Sequence, residues 1–246
     1  MKLTDDVHIV AGGKKGLGMT DKLDCTVYLL DAGSEQILID TGASRDVDAL
    51  LENVRRCGLD PSKISGILLT HAHADHAAGA AALRKELGAR VYLSSAEATL
   101  LENADEDGLA LTFAREAGVY PPDYRLPACP IDVRLDHNDE IAAGSLRLRA
   151  IAVRGHSTGS ICYLVQGREG RYLFSGDTVF CGGRICLLNC TGSSLSQYKE
   201  DIGRLSGLGV DALFPGHLAF CLRGGQEYLD RACDNFRGIF PPPNIG

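Results

Sequence analysis

The most informative stretch of the sequence is Thr70-His71-Ala72-His73-Ala74-Asp75-His76, in which three histidines and an aspartate fall within six residues. The apolar run 66–70 leads into it and is typical of a buried strand, and the alanine-rich segment 77–87 is typical of a helix. Imidazole and carboxylate groups are the usual ligands of Zn²⁺ and its first-row neighbours. The stretch therefore predicts a metal site where a strand ends and a helix begins.

The spacing within this stretch divides its side chains into two pairs. In an extended segment, side chains two residues apart point to the same side, so His71 and His73 can bind one ion. Asp75 and His76 lie at the turn into the helix and can face a second ion. A polar loop whose histidines merely cluster is the plain alternative, but the surrounding strand and helix lie where ligand geometry requires them.

Three further segments place a ligand-type residue directly after a glycine at the end of an apolar strand. They are Gly155-His156, Gly176-Asp177 and Gly216-His217. A glycine lets the backbone turn tightly beside a crowded site. Each pair alone is also typical of an ordinary turn, whereas together they supply His, Asp and His from three separate strand ends.

Composition excludes several classes of function. The chain has 246 residues, with 25 basic and 32 acidic side chains and a net charge of −7, which argues against binding nucleic acid by phosphate neutralisation. No apolar run approaches 18 residues, so no membrane span is expected. Acidic residues near the start, where a secretory signal needs an apolar stretch, favour a cytoplasmic location. The nine cysteines are expected to be free thiols, and Cys181, Cys186 and Cys190 to be buried thiols rather than metal ligands.

Periodicity and turn signals predict an α/β fold. No linker divides the sequence, so we expect one domain over residues 1–246, built as two related sheets packed face to face with helices outside, a four-layer αββα sandwich. The predicted strands are 7–10, 25–30, 36–40, 66–70, 91–93, 146–153, 160–165, 172–174 and 212–214. The predicted helices are 45–57, 77–87, 96–116, 196–205 and 225–237.

These motifs resemble those of the metallo-β-lactamase superfamily, specifically its binuclear hydrolases such as glyoxalase II and the acyl-homoserine lactonases. The matching segments come in the family's order and are Ile39-Asp40-Thr41-Gly42, the stretch 71–76, Gly155-His156, Ser175-Gly176-Asp177-Thr178 and Pro215-Gly216-His217. The resemblance implies that two divalent metal ions are bound, zinc first and iron or manganese as alternatives.

The resemblance also implies a role for each residue. One ion would be held by His71, His73 and His156, and the other by Asp75, His76 and His217. Asp177 would bridge the two ions, and Asp40 would support the site without binding metal. A hydroxide between the ions would be the nucleophile, with Asp75 orienting it or carrying a proton to the leaving group.

The expected function is hydrolysis of a small ester-like bond, a thioester or a lactone, in a small-molecule substrate; the oligomeric state is not predicted. Glutathione thioesters are less favoured, because only 29 residues follow His217, where glyoxalase II enzymes carry a helical glutathione-binding region. The aspartate at 177 disfavours β-lactam hydrolysis, because true β-lactamases usually have cysteine or serine there. The alternative is a mononuclear iron persulfide dioxygenase of the same fold, although Gly182-Gly183-Arg184-Ile185-Cys186 differs from the Gly-Arg-Thr-Asp stretch expected in those enzymes.

Three features outside the motifs remain open at this point. Arg154 either reaches toward an anionic substrate or is a solvated arginine at a strand end. The segment 12–19 is either a hairpin tip near the mouth of the site or a plain flexible loop, and it lacks the order of a phosphate-binding loop. Phe113, Tyr120 and Tyr124 either form a pocket wall or pack elsewhere.

Overall fold

The computed structural model describes residues 1–246, which form two β-sheets with helices on their outer faces. The first sheet has six strands in sequence order, antiparallel from β1 to β3 and parallel from β3 to β6. Its strands are β1 (Val7–Ala11), β2 (Val27–Asp31), β3 (Gln36–Ile39), β4 (Ile64–Leu68), β5 (Arg90–Ser94) and β6 (Val133–Leu135).

The second sheet has five strands in the order β11-β10-β9-β8-β7, in which only β10 and β11 are parallel. Its strands are β7 (Glu140–Ala143), β8 (Leu146–Ala152), β9 (Ile161–Gln166), β10 (Arg171–Gly176) and β11 (Ala212–Pro215). The helices are α1 (Val47–Arg56), α2 (Ala74–Ala77), α3 (Ala80–Leu87), α4 (Ser95–Glu102), α5 (Leu111–Glu116), α6 (Leu195–Asp201) and α7 (Gly225–Asn235). None of these helices combines the length and the apolar character needed to cross a membrane.

Alternate residues of each strand face different layers. In β2, Leu29 packs with residues of α1, α3 and α4, whereas Tyr28 packs between the two sheets. In β10, Leu173 packs with residues of α6 and α7, whereas Phe174 packs between the sheets. Both sheets are therefore buried on both faces, which confirms the predicted four-layer αββα sandwich.

Most predicted elements are present, with two corrections. The predicted helix 96–116 is two helices, α4 and α5, because Ala104 and Ala110 have left-handed backbone angles that interrupt it. The predicted helix 77–87 corresponds to α3, which begins three residues later at Ala80, and the separate short helix α2 precedes it. Strands β6 and β7 were not predicted; both are short strands at an edge of their sheet, and such strands carry little periodic signal.

A buried carboxylate on α4 joins the two halves of the fold. Glu97 is 1% exposed. Its Oε2 accepts a hydrogen bond of 2.7 Å from the backbone N–H of Ala72, in the loop after β4, and its Oε1 accepts one of 2.8 Å from the N–H of Gly159, in the loop after β8. Each loop belongs to a different sheet, so this one side chain fixes their separation.

We expect Glu97→Gln to lower the free energy of unfolding by about 1–3 kcal/mol, because the amide can accept only one of these hydrogen bonds and its NH₂ leaves the other buried N–H unpaired. Urea denaturation measures the change. The matched control, Glu86→Gln at an exposed position on α3, should change it by less than about 0.5 kcal/mol. Equal free energies of unfolding for Glu97→Gln and wild type would show that the hydrogen bonds of Glu97 to the two loops do not stabilise the fold.

Candidate metal centre

Three imidazole nitrogens form a nearly equilateral triangle at one edge of the sandwich. His71 Nε2 lies 3.1 Å from His73 Nδ1, and His156 Nε2 lies 3.1 Å and 3.0 Å from these two atoms. Around a tetrahedral zinc ion with Zn–N bonds of 2.0–2.1 Å, neighbouring nitrogens are about 3.3 Å apart. The triangle therefore fits three corners of a tetrahedral site. We call these residues the histidine triad.

A second group lies beside the histidine triad and consists of Asp75, His76 and His217, here called the mixed triad. His217 Nε2 lies 3.1 Å from Asp75 Oδ2 and 3.3 Å from His76 Nε2. Asp75 and His76 belong to α2, while His217 follows β11, so the group joins the two halves of the chain. The mixed triad has a donor set typical of a first-row metal site.

Asp177 lies between the two triads. Its Oδ2 is 3.8 Å from His156 Nε2 and 3.5 Å from His217 Nε2, and its Oδ1 is 3.5 Å from His76 Nε2. The Oδ1 atom is buried without a hydrogen-bond partner. An unpaired buried carboxylate oxygen is costly, and a cation between the triads would satisfy it. All seven residues singled out by the sequence are thus brought together.

Hydrogen bonds fix which nitrogen of two histidines faces the centre. Asp40 Oδ2 lies 2.9 Å from His76 Nδ1, so this nitrogen carries a proton and, in the neutral imidazole, His76 Nε2 presents a lone pair. Thr70 Oγ1 donates to Asp40 at 2.9 Å and therefore accepts from His71 Nδ1 at 3.0 Å. His71 Nε2 then presents a lone pair as well, so Asp40 acts on both triads.

A main-chain carbonyl does the same for the third histidine. His156 Nδ1 lies 2.8 Å from the Cys186 carbonyl, which can only accept, so His156 Nε2 also presents a lone pair. Lone pairs that face one another at about 3 Å repel unless a cation lies between them. This contact was not predicted, because the sequence does not show which carbonyl a histidine will meet.

The protonation state of the histidine triad suits metal binding. Burial lowers the pKa values of His71 and His156. Burial and the nearby His156 lower the pKa of His73 to about 3. For Asp177, the nearby imidazoles of His217 and His76 outweigh the effect of burial and lower the pKa. Neutral imidazoles and ionised carboxylates are the forms that bind metal ions.

All three glycines that precede ligands lie where a side chain would clash with a neighbour; at Gly176, whose φ is +49°, a Cβ would lie 2.6 Å from Thr70 Oγ1. A Cβ at Gly216 would lie 2.5 Å from Asp177 Oδ1 and 2.6 Å from the His76 ring. A Cβ at Gly155, whose φ is +133°, would lie 2.3 Å from the Tyr198 ring. The structure thus leaves no room for a side chain at these positions, beside Asp177 and His76 for Gly216 and beside Tyr198 for Gly155.

Two cavities open onto the centre. One, of about 200 Å³, is lined by two residues of each triad and by a largely apolar wall that includes Phe113 and Tyr120. Of the three aromatic residues whose role the sequence left open, Phe113 and Tyr120 line this cavity, whereas Tyr124 lies behind it and stacks on Tyr120 with 4.7 Å between the ring centroids. The other cavity, of about 250 Å³, reaches Lys14 and Lys15, which places the segment 12–19 at the mouth of the site.

Several groups outside the centre take places that the sequence left open or did not predict. Arg154 does not reach the cavities; its Nε pairs with buried Asp201 at 2.6 Å. All nine cysteines are free, but only Cys186 of the expected buried thiols is buried, because Cys181 and Cys190 lie on partly exposed turns. Glu97, which holds the loops of His71 and His156, was not singled out, because a lone glutamate in a helical segment reads as a surface residue.

Comparison with known proteins identifies the family of the chain. A family model described as the metallo-beta-lactamase superfamily matches residues 20–217. A hydroxyacylglutathione hydrolase of Anaeromyxobacter dehalogenans is 34% identical over 210 residues, which cover 81% of this chain and 66% of the relative, slightly under two thirds of its length. An acyl-coenzyme A thioesterase of Gallus gallus is 28% identical over 227 residues, covering 85% of this chain and 77% of the relative.

Solved structures show the same fold. A metallo-beta-lactamase from Cronobacter sakazakii has a TM-score of 0.74 at 20% identity and covers 96% of this chain and 95% of its own. A subclass B3 metallo-beta-lactamase of Bradyrhizobium japonicum has a TM-score of 0.68 at 23% identity, and the match covers 85% of this chain and 84% of the other. Because the family model spans most of the sequence and the fold agrees, the chain belongs to the metallo-beta-lactamase superfamily.

Proposed function

We propose that this metallo-hydrolase binds two divalent metal ions, zinc first among the candidates, and hydrolyses an acyl thioester. The observation that carries the proposal is the convergence of two triads of ligand atoms with Asp177 between them. The histidine triad would hold one ion, the mixed triad the other, and Asp177 would touch both. When bound, such a pair of cations acidifies water and polarises the carbonyl group under attack.

Asp75 is the residue proposed to orient the attacking water. Its Oδ2 faces His217, while 22% of the side chain is exposed and lines both cavities. In the reaction a C–O bond forms between water and the carbonyl carbon, and the C–S bond breaks. One proton of the water goes to the departing sulfur and the other to solvent, which leaves a carboxylate and a thiol. A carboxylate beside the water can carry the first of these protons.

The thioester is favoured over other ester-like bonds by two relatives. The names of the Anaeromyxobacter dehalogenans and Gallus gallus proteins both describe hydrolysis of thioesters. The cavity of about 200 Å³ supports this choice, because its apolar wall suits an acyl chain. A lactone is the alternative substrate, because its ester bond is hydrolysed by the same attack of water on a carbonyl carbon.

The purified protein should hydrolyse acyl thioesters faster than homoserine lactones or β-lactams of similar size. Asp75→Asn should lower kcat by about 10²-fold or more, because a neutral amide neither accepts the proton of the water nor binds the second ion as a carboxylate does. Asp48→Asn, at an exposed position on α1, should behave as wild type. Oxygen uptake with a glutathione persulfide, together with no hydrolysis of any ester, would instead identify the persulfide dioxygenase.

Variants that change the hydrogen bonds of Asp40 are expected to affect the two metal ions differently. Asp40→Asn should weaken the binding of both ions by about 10–100-fold, because it disturbs the orientation of His71 and His76 together. Thr70→Val should weaken only the binding of the ion at the histidine triad, because His76 keeps its hydrogen bond to Asp40. Competition with a chelator, monitored by absorbance, measures both affinities, and an unchanged pair of affinities in Asp40→Asn would contradict this role.

A further inference from the structure

Three lysines line the cavity of about 250 Å³, here called the lysine cavity. They are Lys14, Lys15 and Lys22, three of only seven lysines in a chain with a net charge of −7. The lysine cavity also reaches Asp75 and His217 of the mixed triad. A local concentration of positive charge therefore adjoins the proposed reaction centre of an acidic protein.

These ammonium groups have no acidic partner within the protein. None of the three lysines takes part in an ion pair or in a side-chain hydrogen bond. Asp24 also lines the cavity, but its carboxylate is buried and accepts hydrogen bonds from Thr20 Oγ1 at 2.5 Å and from the Ala43 N–H at 2.8 Å. The positive charge of the cavity is thus free to interact with a ligand.

Backbone hydrogen bonds hold the lysines in place. The N–H of Lys14 donates to the carbonyl of Lys22 at 3.0 Å, which keeps these two residues side by side. The carbonyl of Lys15 accepts from the N–H of Leu218 at 2.6 Å, directly beside His217. The segment that carries the lysines is therefore attached to the loop of a ligand residue, and the positions of their backbones are fixed before any ligand arrives.

The other cavity has the opposite character. It is here called the apolar cavity, and Leu109, Leu111, Phe113, Val119 and Leu188 contribute to its wall. The two cavities share Lys15, Asp75, Val119, Tyr120 and His217, so they meet at the metal centre. A substrate that occupies both has its two ends in environments of different polarity and its reacting bond between them.

We propose that the substrate spans both cavities, with its acyl group in the apolar cavity and a negatively charged thiol carrier against Lys14, Lys15 and Lys22. This inference rests on the proposed thioester hydrolysis and adds the polarity and orientation of the substrate. Lysine ammonium groups bind phosphates or carboxylates as point charges. The shared chemistry is therefore an anionic thiol, carrying either phosphates, as coenzyme A does, or carboxylates, as glutathione does.

The test compares one acyl group, octanoyl, on three thiols: coenzyme A, glutathione and neutral N-acetylcysteamine. In the triple variant Lys14→Gln/Lys15→Gln/Lys22→Gln, the ratio of kcat/KM for the preferred anionic thioester to that for the neutral one should fall at least about tenfold. The same ratio should fall in wild type as salt is raised. The matched control is Lys63→Gln/Lys85→Gln/Lys199→Gln, which removes three exposed lysines outside both cavities and should leave the ratio unchanged.

A binding measurement keeps the inference separate from the proposed function. Calorimetry with desulfo-coenzyme A and with S-methylglutathione should show salt-dependent binding of one of them to wild type and to the Lys63→Gln/Lys85→Gln/Lys199→Gln control. That binding should be lost in Lys14→Gln/Lys15→Gln/Lys22→Gln. That result without thioester hydrolysis would retain the anion site and reject the proposed function. Hydrolysis with an unchanged ratio in the triple variant, or binding of neither compound to wild type, would overturn the inference.

Discussion

The metal centre depends on the hydrogen bonds that the Asp40 carboxylate accepts. It accepts a hydrogen bond from His76 Nδ1 directly and is linked to His71 Nδ1 through the Thr70 hydroxyl. One buried carboxylate therefore determines which nitrogen of a histidine in each triad faces the metal. The Thr70 N–H also donates to this carboxylate at 2.7 Å. Asp40 itself has a left-handed backbone with φ of +63°, which costs about 1 kcal/mol and is offset by these hydrogen bonds.

The two-sheet architecture explains why such a centre needs both halves of the chain. The loop after β4 supplies His71 and His73, whereas His156 and His217 follow strands of the second sheet. Their nitrogens approach within about 3 Å only because the sheets are held face to face by the core between them and by Glu97 at the edge. Changes in sheet packing are therefore expected to alter metal geometry as well as stability.

The ligand residues were predictable from the sequence because each lies in a short local pattern. His71, His73, Asp75 and His76 share one loop, and a glycine marks each of the three distant ligands. Contacts between distant residues gave no such signal. The Cys186 carbonyl, the two hydrogen bonds of Glu97 and the grouping of Lys14 with Lys22 arise only when the chain folds. The pairing of Arg154 with Asp201 was likewise invisible, since 47 residues separate them.

The most direct test of the account is the metal content of protein purified without added metal, measured by mass spectrometry for wild type, Asp177→Ala and the exposed control Asp48→Asn. The account predicts close to two equivalents of zinc or manganese in wild type and in the control, and a clear decrease in Asp177→Ala, because that carboxylate lies between the triads. One equivalent of iron, no bound metal, or two equivalents that persist in Asp177→Ala would contradict it.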